Sequence, residues 1–541
     1  MQSFDAKFDR PNPSLRQGLK GLAVLAVAAW TICPASRALA DDASNPATPD
    51  PVLNLMLQKG MITEDEAAKV QAQVDSHRTN GVAQFPPSKW YVNPGIKKFE
   101  VFGDVRLRYE DRSEEAPNGA SIDLNRFRYA VRIGVRGEVL DDFYYGLRLE
   151  TSSNPRSSMV TLGSSSPGPY GKSAAGVAIG QVYLGWRPES WFDFTVGKMP
   201  NPLYTTPMVW SPSINPEGLA ENFKYTVGQA DFFATFAQFI YQDENPVSAS
   251  GNLGFNGLTG LSAENIFQIA WQGGVIYHVT TNLSAKVGAT IYQYYGLKQS
   301  TTAQQVSPYY GDPFVGEGAY TGSPLYGNGA SGYGTSGSVP GDFSANYPNN
   351  QVGLDHLLVL EVPFEINYRL KNFDTRLFGD VAYNIQGRQR AQAAAQGYAD
   401  YLADQPPSEP ATITGFTPQT DDNKAYQIGV AIGSRDALGL VNGTTSKKHA
   451  WEIRSYWQHV EQYALDPNLV DLDFFAGALN MQGIYVAAAY GFSDNITGTV
   501  RWGHASRIND KLGTGGTGTD IPQINPISNY DIFQVDVSCR F

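Results

Sequence analysis

Between residues 98 and 150, charged side chains recur at alternate positions with apolar ones between them. In the first such run Phe99, Val101, Val105, Leu107 and Tyr109 alternate with Glu100, Asp104, Arg106, Arg108 and Glu110. In the next, near 124–139, Phe127, Tyr129, Val131, Ile133 and Val135 alternate with Arg126, Arg128, Arg132 and Arg136. After a tight turn at Asp141-Asp142, Phe143, Tyr145, Leu147 and Leu149 alternate with Arg148 and Glu150. A period of two belongs to a β-strand, whose successive side chains point to opposite faces. Charges at every second position cannot face a packed core without partners. One face of these strands must therefore meet water, and the other something apolar.

The pattern continues to the last residue. Further strands are expected near 177–187, 191–199, 221–228, 231–242, 265–279, 283–296, 354–370, 375–386, 424–434, 449–461, 480–492, 496–506 and 529–541, which with the first three makes sixteen. Near 354–370, His356, Leu358, Leu360, Val362, Phe364 and Ile366 oppose Asp355, Glu361, Glu365 and Asn367; Pro363, which lacks a ladder donor, is a blemish there. In the final stretch Phe533, Val535, Val537, Cys539 and Phe541 oppose Gln534, Asp536, Ser538 and Arg540. No run of eighteen apolar residues follows residue 40, which excludes helical membrane spans. Yet 42% of residues are hydrophobic, 12% are aromatic and 55 are Gly. Short alternating segments of that composition predict an all-β membrane protein, a single antiparallel transmembrane β-barrel of about sixteen strands.

Connection lengths support the same architecture. Short links, such as 140–142, 188–190, 228–230, 280–282, 371–374 and 493–495, alternate with long ones at 152–176, 200–220, 297–353, 387–423 and 507–528. That is the asymmetry of periplasmic turns and outer loops. The link near 435–448 falls on the short side and is too long for it. Phe143, Trp186, Trp191, Tyr277, Phe373, Tyr490 and Phe492 cluster beside the short turns and suggest an interfacial girdle.

Residues 1–40 read as a signal peptide: Arg10, Arg16 and Lys20, then the apolar run 21–33, then Ala38-Leu39-Ala40. Cys33 follows Ile32, where a lipobox requires a small residue, so lipidation is not expected. Residues 41–97 form a periplasmic leader, with short helices at 51–59 and about 63–77 and a Pro-rich linker at 79–97; 98–541 is the barrel. The segment 1–40 holds five Lys/Arg and two Asp/Glu, so the remainder has 35 basic and 50 acidic residues, net −15. Such acidity argues against nucleic acid as a partner. One cysteine, Cys539, remains after processing, so a closed hydrogen-bonded ladder rather than a disulfide must hold the fold.

Catalytic patterns are not evident. The six histidines, His77, His278, His356, His449, His459 and His504, lack metal-ligand spacing, and His504-Ala505-Ser506 places its His and Ser off the geometry of a nucleophile elbow. No cofactor or metal is expected. Three readings remain: a diffusion channel, a structural or adhesive barrel acting through its loops, and a barrel enzyme. Sixteen strands leave an aqueous lumen, which favours the first.

The terminal strand, ending on Phe541, is similar to the last strand of bacterial outer-membrane barrels. LMLQKGMITEDEA (Leu55 to Ala67), GKMPNPLYTTPMVWSPSINPEGLA (Gly197 to Ala220) and DLDFFAGALNMQGIYVAAAYGFSDNITGTVRW (Asp471 to Trp502) resemble the bacterial putative-porin family, outer-membrane channels distantly similar to phosphate-type porins. The resemblance implies passive passage of small hydrophilic solutes and assembly as a homotrimer. The setting it implies is outer-membrane lipid and lipopolysaccharide. It does not name the solute.

The wet faces of the first three strands offer candidate pore-lining residues. Arg106, Arg108, Arg126, Arg128, Arg132, Arg136 and Arg148 would form a basic wall shared with Asp104, Glu110 and Glu150. Asp355, Glu361 and Glu365 would line the far side. The alternative is that these arginines merely pair with nearby carboxylates. The loop Asn201–Asn222, stiffened by Pro202, Pro207, Pro212 and Pro216, is the candidate constriction, with Leu203, Met208, Trp210, Glu217 and Glu221 as its candidate side chains.

Overall fold

A computed structural model of the chain describes residues 96–116, 119, 121–140, 142–152, 157–163, 176–242, 266–295, 356–392, 422–510, 512, 514 and 527–541, with Lys59 and Thr63 before them. The expected signal peptide, helical leader and linker lie outside the described residues, as do Asp355 and the loop at 297–353. Among the described residues no helix is long and apolar enough to cross a membrane.

Seventeen strands are described: β1 (Ile96–Glu115), β2 (Ser121–Val139), β3 (Phe143–Ser152), β4 (Val160–Thr161), β5 (Gly176–Glu189), β6 (Phe192–Lys198), β7 (Glu217–Val227), β8 (Ala230–Gln242), β9 (Ile266–Thr280), β10 (Leu283–Tyr295), β11 (Leu358–Arg369), β12 (Phe373–Asn384), β13 (Lys424–Ser434), β14 (Trp451–Val460), β15 (Met481–Gly491), β16 (Ile496–Arg507) and β17 (Asn529–Arg540). β4 is a two-residue ladder laid against β2 at Arg128 and Tyr129. The other sixteen form one antiparallel ring in which each pairs with its chain neighbours. The ring closes where β1 meets β17, from Asp104 opposite Arg540 to Glu115 opposite Asn529. Sixteen is the number the alternation predicts. Closure matters because it removes the sheet edge along the seam, so the ladder groups there are bonded within the wall.

The two faces sort as a membrane barrel requires. Ile133, Leu147, Leu149, Ile179, Leu184, Trp271, Val381, Ile428, Val430 and Val500 point outward and are exposed. The alternate positions carry Arg, Asp, Glu, Gln and Thr that are buried inside the ring, among them Arg108, Glu110, Gln272, Thr290, Glu361, Asp380 and Asp536. Phe143, Trp186, Trp191, Tyr277, Tyr490 and Phe492 are exposed beside the short turns, and Phe143 stacks on Trp186 with ring centroids 6.4 Å apart. Amphipathic rings at that level suit a membrane–water boundary.

The seam has a specific joint. Gly103 N–H donates to the Phe541 carbonyl at 2.9 Å, and Phe541 N–H returns a bond to the Gly103 carbonyl at 3.0 Å. The Phe541 ring lies where a Cβ on Gly103 would sit, 2.7 Å from it. An aromatic ring over a bare strand glycine covers exposed backbone and pins the register.

Two expected strand starts move by about four residues: β11 begins at Leu358 rather than near 354, which leaves His356 in the preceding turn at a φ of 55°. β7 begins at Glu217 rather than near 221, because it pairs with β6 from Lys198 opposite Glu217 onward. The candidate loop Asn201–Asn222 therefore ends at residue 216, and Glu217 and Glu221 stand on a strand.

Candidate functional site: a lumen filled by three inward loops

The connection 199–216 folds onto the inner wall instead of away from it. Met199, Leu203, Met208, Val209 and Trp210 are buried. Its backbone is stitched to the wall at Tyr204, whose N–H donates to Gln272 Oε1 and whose carbonyl accepts from Gln272 Nε2, both at 2.8 Å. Thr205 and Thr206 then donate to Glu361 on β11 (2.6 Å) and Asp380 on β12 (2.5 Å). The Tyr292 hydroxyl gives Glu361 a second bond at 2.5 Å. Trp210 packs between Phe239 and Tyr292, and its indole N–H reaches the Ile214 carbonyl at 3.1 Å. Lys286 sits 3.5 Å from the centroid of the Tyr204 ring, a cation–π contact between β10 and the loop.

The connection 461–480 enters from the same end and meets the first loop. Ser211 N–H donates to the Leu469 carbonyl at 2.6 Å, and Asp471 N–H to the Pro207 carbonyl at 3.1 Å. Leu465, Leu469, Val470, Phe474, Phe475 and Leu479 are buried within it. Its tight turn takes Phe475 and Ala476 to φ of 66° and 53°, a left-handed backbone that costs energy outside glycine and persists only where packing enforces it. Asp473 carries the loop to the opposite wall, where Arg108 Nη1 (2.9 Å), Arg112 Nη2 (3.3 Å) and Gln534 Nε2 (3.1 Å) converge on its Oδ1. Burial works against its charge, but Arg108, Arg112 and Arg501 outweigh that and hold the Asp473 carboxyl well below the usual range. Asp471, half-buried and desolvated next to that negative charge, is pushed up to about 6.

The third connection, 435–450, resolves the length anomaly on the short-turn side. It turns into the lumen from that end. Glu452, fully buried on β14, accepts the N–H groups of Gly439 and Val441 at 2.9 Å each. Arg501 donates to the Val441 carbonyl (3.1 Å) and Arg540 to the Thr445 carbonyl (3.2 Å). Ala437, Leu440 and Val441 are buried against the wall. A polar cavity of about 420 Å³ remains at this mouth, lined by His278, Ser284, Asn367, Arg369, Asp374 and Arg376 among others.

The candidate arginines divide unequally. Arg108 makes a fork with Asp536 at 2.7 and 3.0 Å. Arg126 binds Glu110 at 2.6 Å, and Arg128 lies 3.7 Å from Glu110 while donating to the Met159 carbonyl at 3.0 Å. Arg132 binds Asp104 (2.7 Å), Arg136 binds Glu100 (2.5 Å) and Arg148 binds Glu150 (3.1 Å). Six of the seven are thus engaged with carboxylates, the alternative that the sequence left open. Arg106 is the exception: half-buried in the wall, with no salt bridge among the described residues and a buried Nε without a hydrogen bond. On the other side, Glu365 pairs with Arg376 at 3.4 Å, whereas Glu361 and Asp380 have no salt bridge among the described residues. β2 and β11 stand eight places apart around the sixteen-strand ring, on opposite walls. Glu217 forms an exposed pair with Lys198 at 2.5 Å, and Glu221 shares the outward face with Phe223 and Tyr225, so neither lines the loop as expected.

Two parts of the site escaped sequence reasoning. Asp473 was not singled out, and the connection 435–450 was marked only by a length too great for its side. A signal for them exists in the inward positions occupied by alanine: Ala220, Ala237, Ala270, Ala382, Ala425, Ala487, Ala489 and Ala505 are all at most 5% exposed. A wet wall has no use for alanine. A wall against which a loop must pack does.

A family model described as "Putative porin" matches residues 114–541. No curated protein matches the sequence. Among solved structures, the chain is similar to an anion-selective porin from Comamonas acidovorans, with a TM-score of 0.38, 9% identity, 82% of this chain and 99% of that one covered. It is also similar to the outer-membrane protein OmpT of Vibrio cholerae, with a TM-score of 0.36, 10% identity, 82% of this chain and 99% of that one covered.

Proposed function

Because this chain belongs to the putative-porin family, we propose that it forms a water-filled channel through which small hydrophilic solutes or ions diffuse passively. The fold and the family both point to the outer membrane. The observation that supports the channel reading is the closed sixteen-strand ring, whose inner face carries buried Arg, Asp, Glu, Gln and Thr side chains. The proposal includes export through the signal peptide at 1–40, assembly as a homotrimer and a role that involves no catalysis. Purified protein in a planar bilayer is expected to give discrete ohmic steps; a folded barrel with no steps would favour a structural role acting through the loops.

Loop 199–216 narrows the passage in this reading. Deleting Thr206–Asn215 removes the contacts to Asp380 and Leu469 together with the buried Trp210. Single-channel conductance is expected to rise, and an unchanged conductance in a folded barrel would make this loop a mere cover.

The paired arginines set selectivity by balance. Arg128→Ala with Arg132→Ala leaves Asp104 without its partner and Glu110 with fewer cations around it. The reversal potential in a salt gradient is expected to shift toward cation preference. A double mutant matching the wild type would place the filter in the loops.

A further inference from the structure

The groups around Asp473 are arranged as a receptor and its occupant. Arg108, Arg112 and Gln534 project from the wall strands β1 and β17 and are 2%, 3% and 0% exposed, while the Asp473 side chain is 32% exposed on a connection between strands. The receptor does not depend on its occupant. Asp536 grips Arg108 from behind in a two-bond fork, and Glu110 takes a bond from Arg112 at 3.1 Å. Buried Arg–carboxylate pairs of that kind fix the guanidinium planes. What converges on Asp473 is therefore a preformed set of N–H donors aimed at one oxygen of an anion, with Arg108 Nη1 also reaching the second at 3.1 Å. One inward position away on β1, Arg106 adds a cation with no salt bridge of its own among the described residues.

We infer that this cradle is a binding site for small oxyanions, phosphate or carboxylate, and that Asp473 is a built-in competitor which a passing anion displaces. The inference rests on the channel reading and specifies its solute class. A carboxylate or phosphate presents the same acceptor pair as Asp473 and can take the same donors in turn. Loop 461–480 is bound to this wall through Asp473 and its neighbours: Arg112 donates to the Leu472 carbonyl at 3.2 Å and the Tyr530 hydroxyl to the Asp473 carbonyl at 2.7 Å. Loss of the carboxylate contact loosens the loop at the point where it joins loop 199–216. Anion occupancy and the width of the passage are then linked, because an anion binds only the state in which Asp473 has withdrawn.

The test compares wild type with Asp473→Asn and Asp473→Glu in planar bilayers, with chloride as carrier and inorganic phosphate or succinate titrated in as blockers. Asn cannot compete as an anion, so block by phosphate or succinate is expected to tighten about tenfold in Asp473→Asn, in line with the worth of a hydrogen bond to a charged group. Asp473→Glu keeps the charge and should remain close to wild type. Equal block in wild type and Asp473→Asn overturns the inference and leaves the channel reading intact, whereas absence of conductance in every form overturns the channel reading itself. Should Asp473→Asn fail to fold, the wild type decides alone. Phosphate, but not chloride at equal ionic strength, is expected to speed proteolytic cleavage within 461–480, and equal cleavage in the two salts rejects the inference.

Discussion

Gly103→Val will prevent the ring from closing. The added Cβ would stand 2.5 Å from the Arg132 carbonyl oxygen and 2.7 Å from the Phe541 ring. The ring could turn away, but the carbonyl belongs to the β2 backbone and can move only by breaking the ladder. Overpacking a well-filled site costs about 1–3 kcal/mol even where side chains can adjust, and here one of the opposing atoms is backbone. The folded fraction recovered from detergent refolding, read as the heat-modifiable band on a gel, is expected to fall roughly tenfold or more. Gly273→Val is the matched control, since a Cβ at Gly273 meets nothing within 4 Å. Similar yields for the two variants would show that the seam tolerates what its geometry forbids.

Excising Leu438–Thr445 and bridging the gap with a short turn will give the largest rise in conductance. The segment includes Leu440 and Val441, buried against the wall, and the backbone groups bound by Glu452, Arg501 and Arg540. No strand residue is removed, so the ring should survive. A several-fold increase is expected, because the passage at this mouth would widen from a partly filled lumen toward the bare bore of a sixteen-strand barrel. Glu452 would lose its two N–H donors and remain as a buried carboxylate bonded to Arg454. Changing it to Gln in the same variant should restore stability if that loss lowers the melting temperature. A conductance equal to wild type would mean that current already bypasses this segment.

The wall of the molecule was legible in the sequence and its filling was not. A period of two with one charged face has few physical solutions, so the strands near 124–139, 231–242, 424–434 and 496–506 fall within a few residues of β2, β8, β13 and β16. The pairing of the arginines was legible in part: Asp104, Glu110 and Glu150 were placed on their wall and do pair with them, whereas Asp536 was not connected to Arg108. Arg108 and Asp536 are 428 residues apart, and only the register of β1 on β17 brings them together. Arg132 reaches Asp104 across 28 residues, a choice among the wall's carboxylates that the register of β1 on β2 makes. The inward loops were harder still. Their commitment to the lumen is written in the alanines of other strands and in single acids such as Glu452 and Asp473, none of which carries a local pattern. The excess length of 435–448 was the one overt clue, and its meaning depends on which end of the barrel it occupies.

The seam between β1 and β17 also governs how fast such a molecule can form. Every other neighbouring pair in the ring joins segments adjacent in the chain, so hairpins can assemble as soon as their residues are available. The closing pair has to bring together two ends separated by almost the whole wall, and that search carries a loop-closure cost with no earlier contacts to offset it. Until it succeeds, β1 and β17 are two open edges whose unpaired amides and carbonyls can template pairing with any other chain. The slowest step and the most aggregation-prone species are then the same state. A factor that shelters those two edges would raise yield by acting at this step alone, without touching the stability of the finished ring.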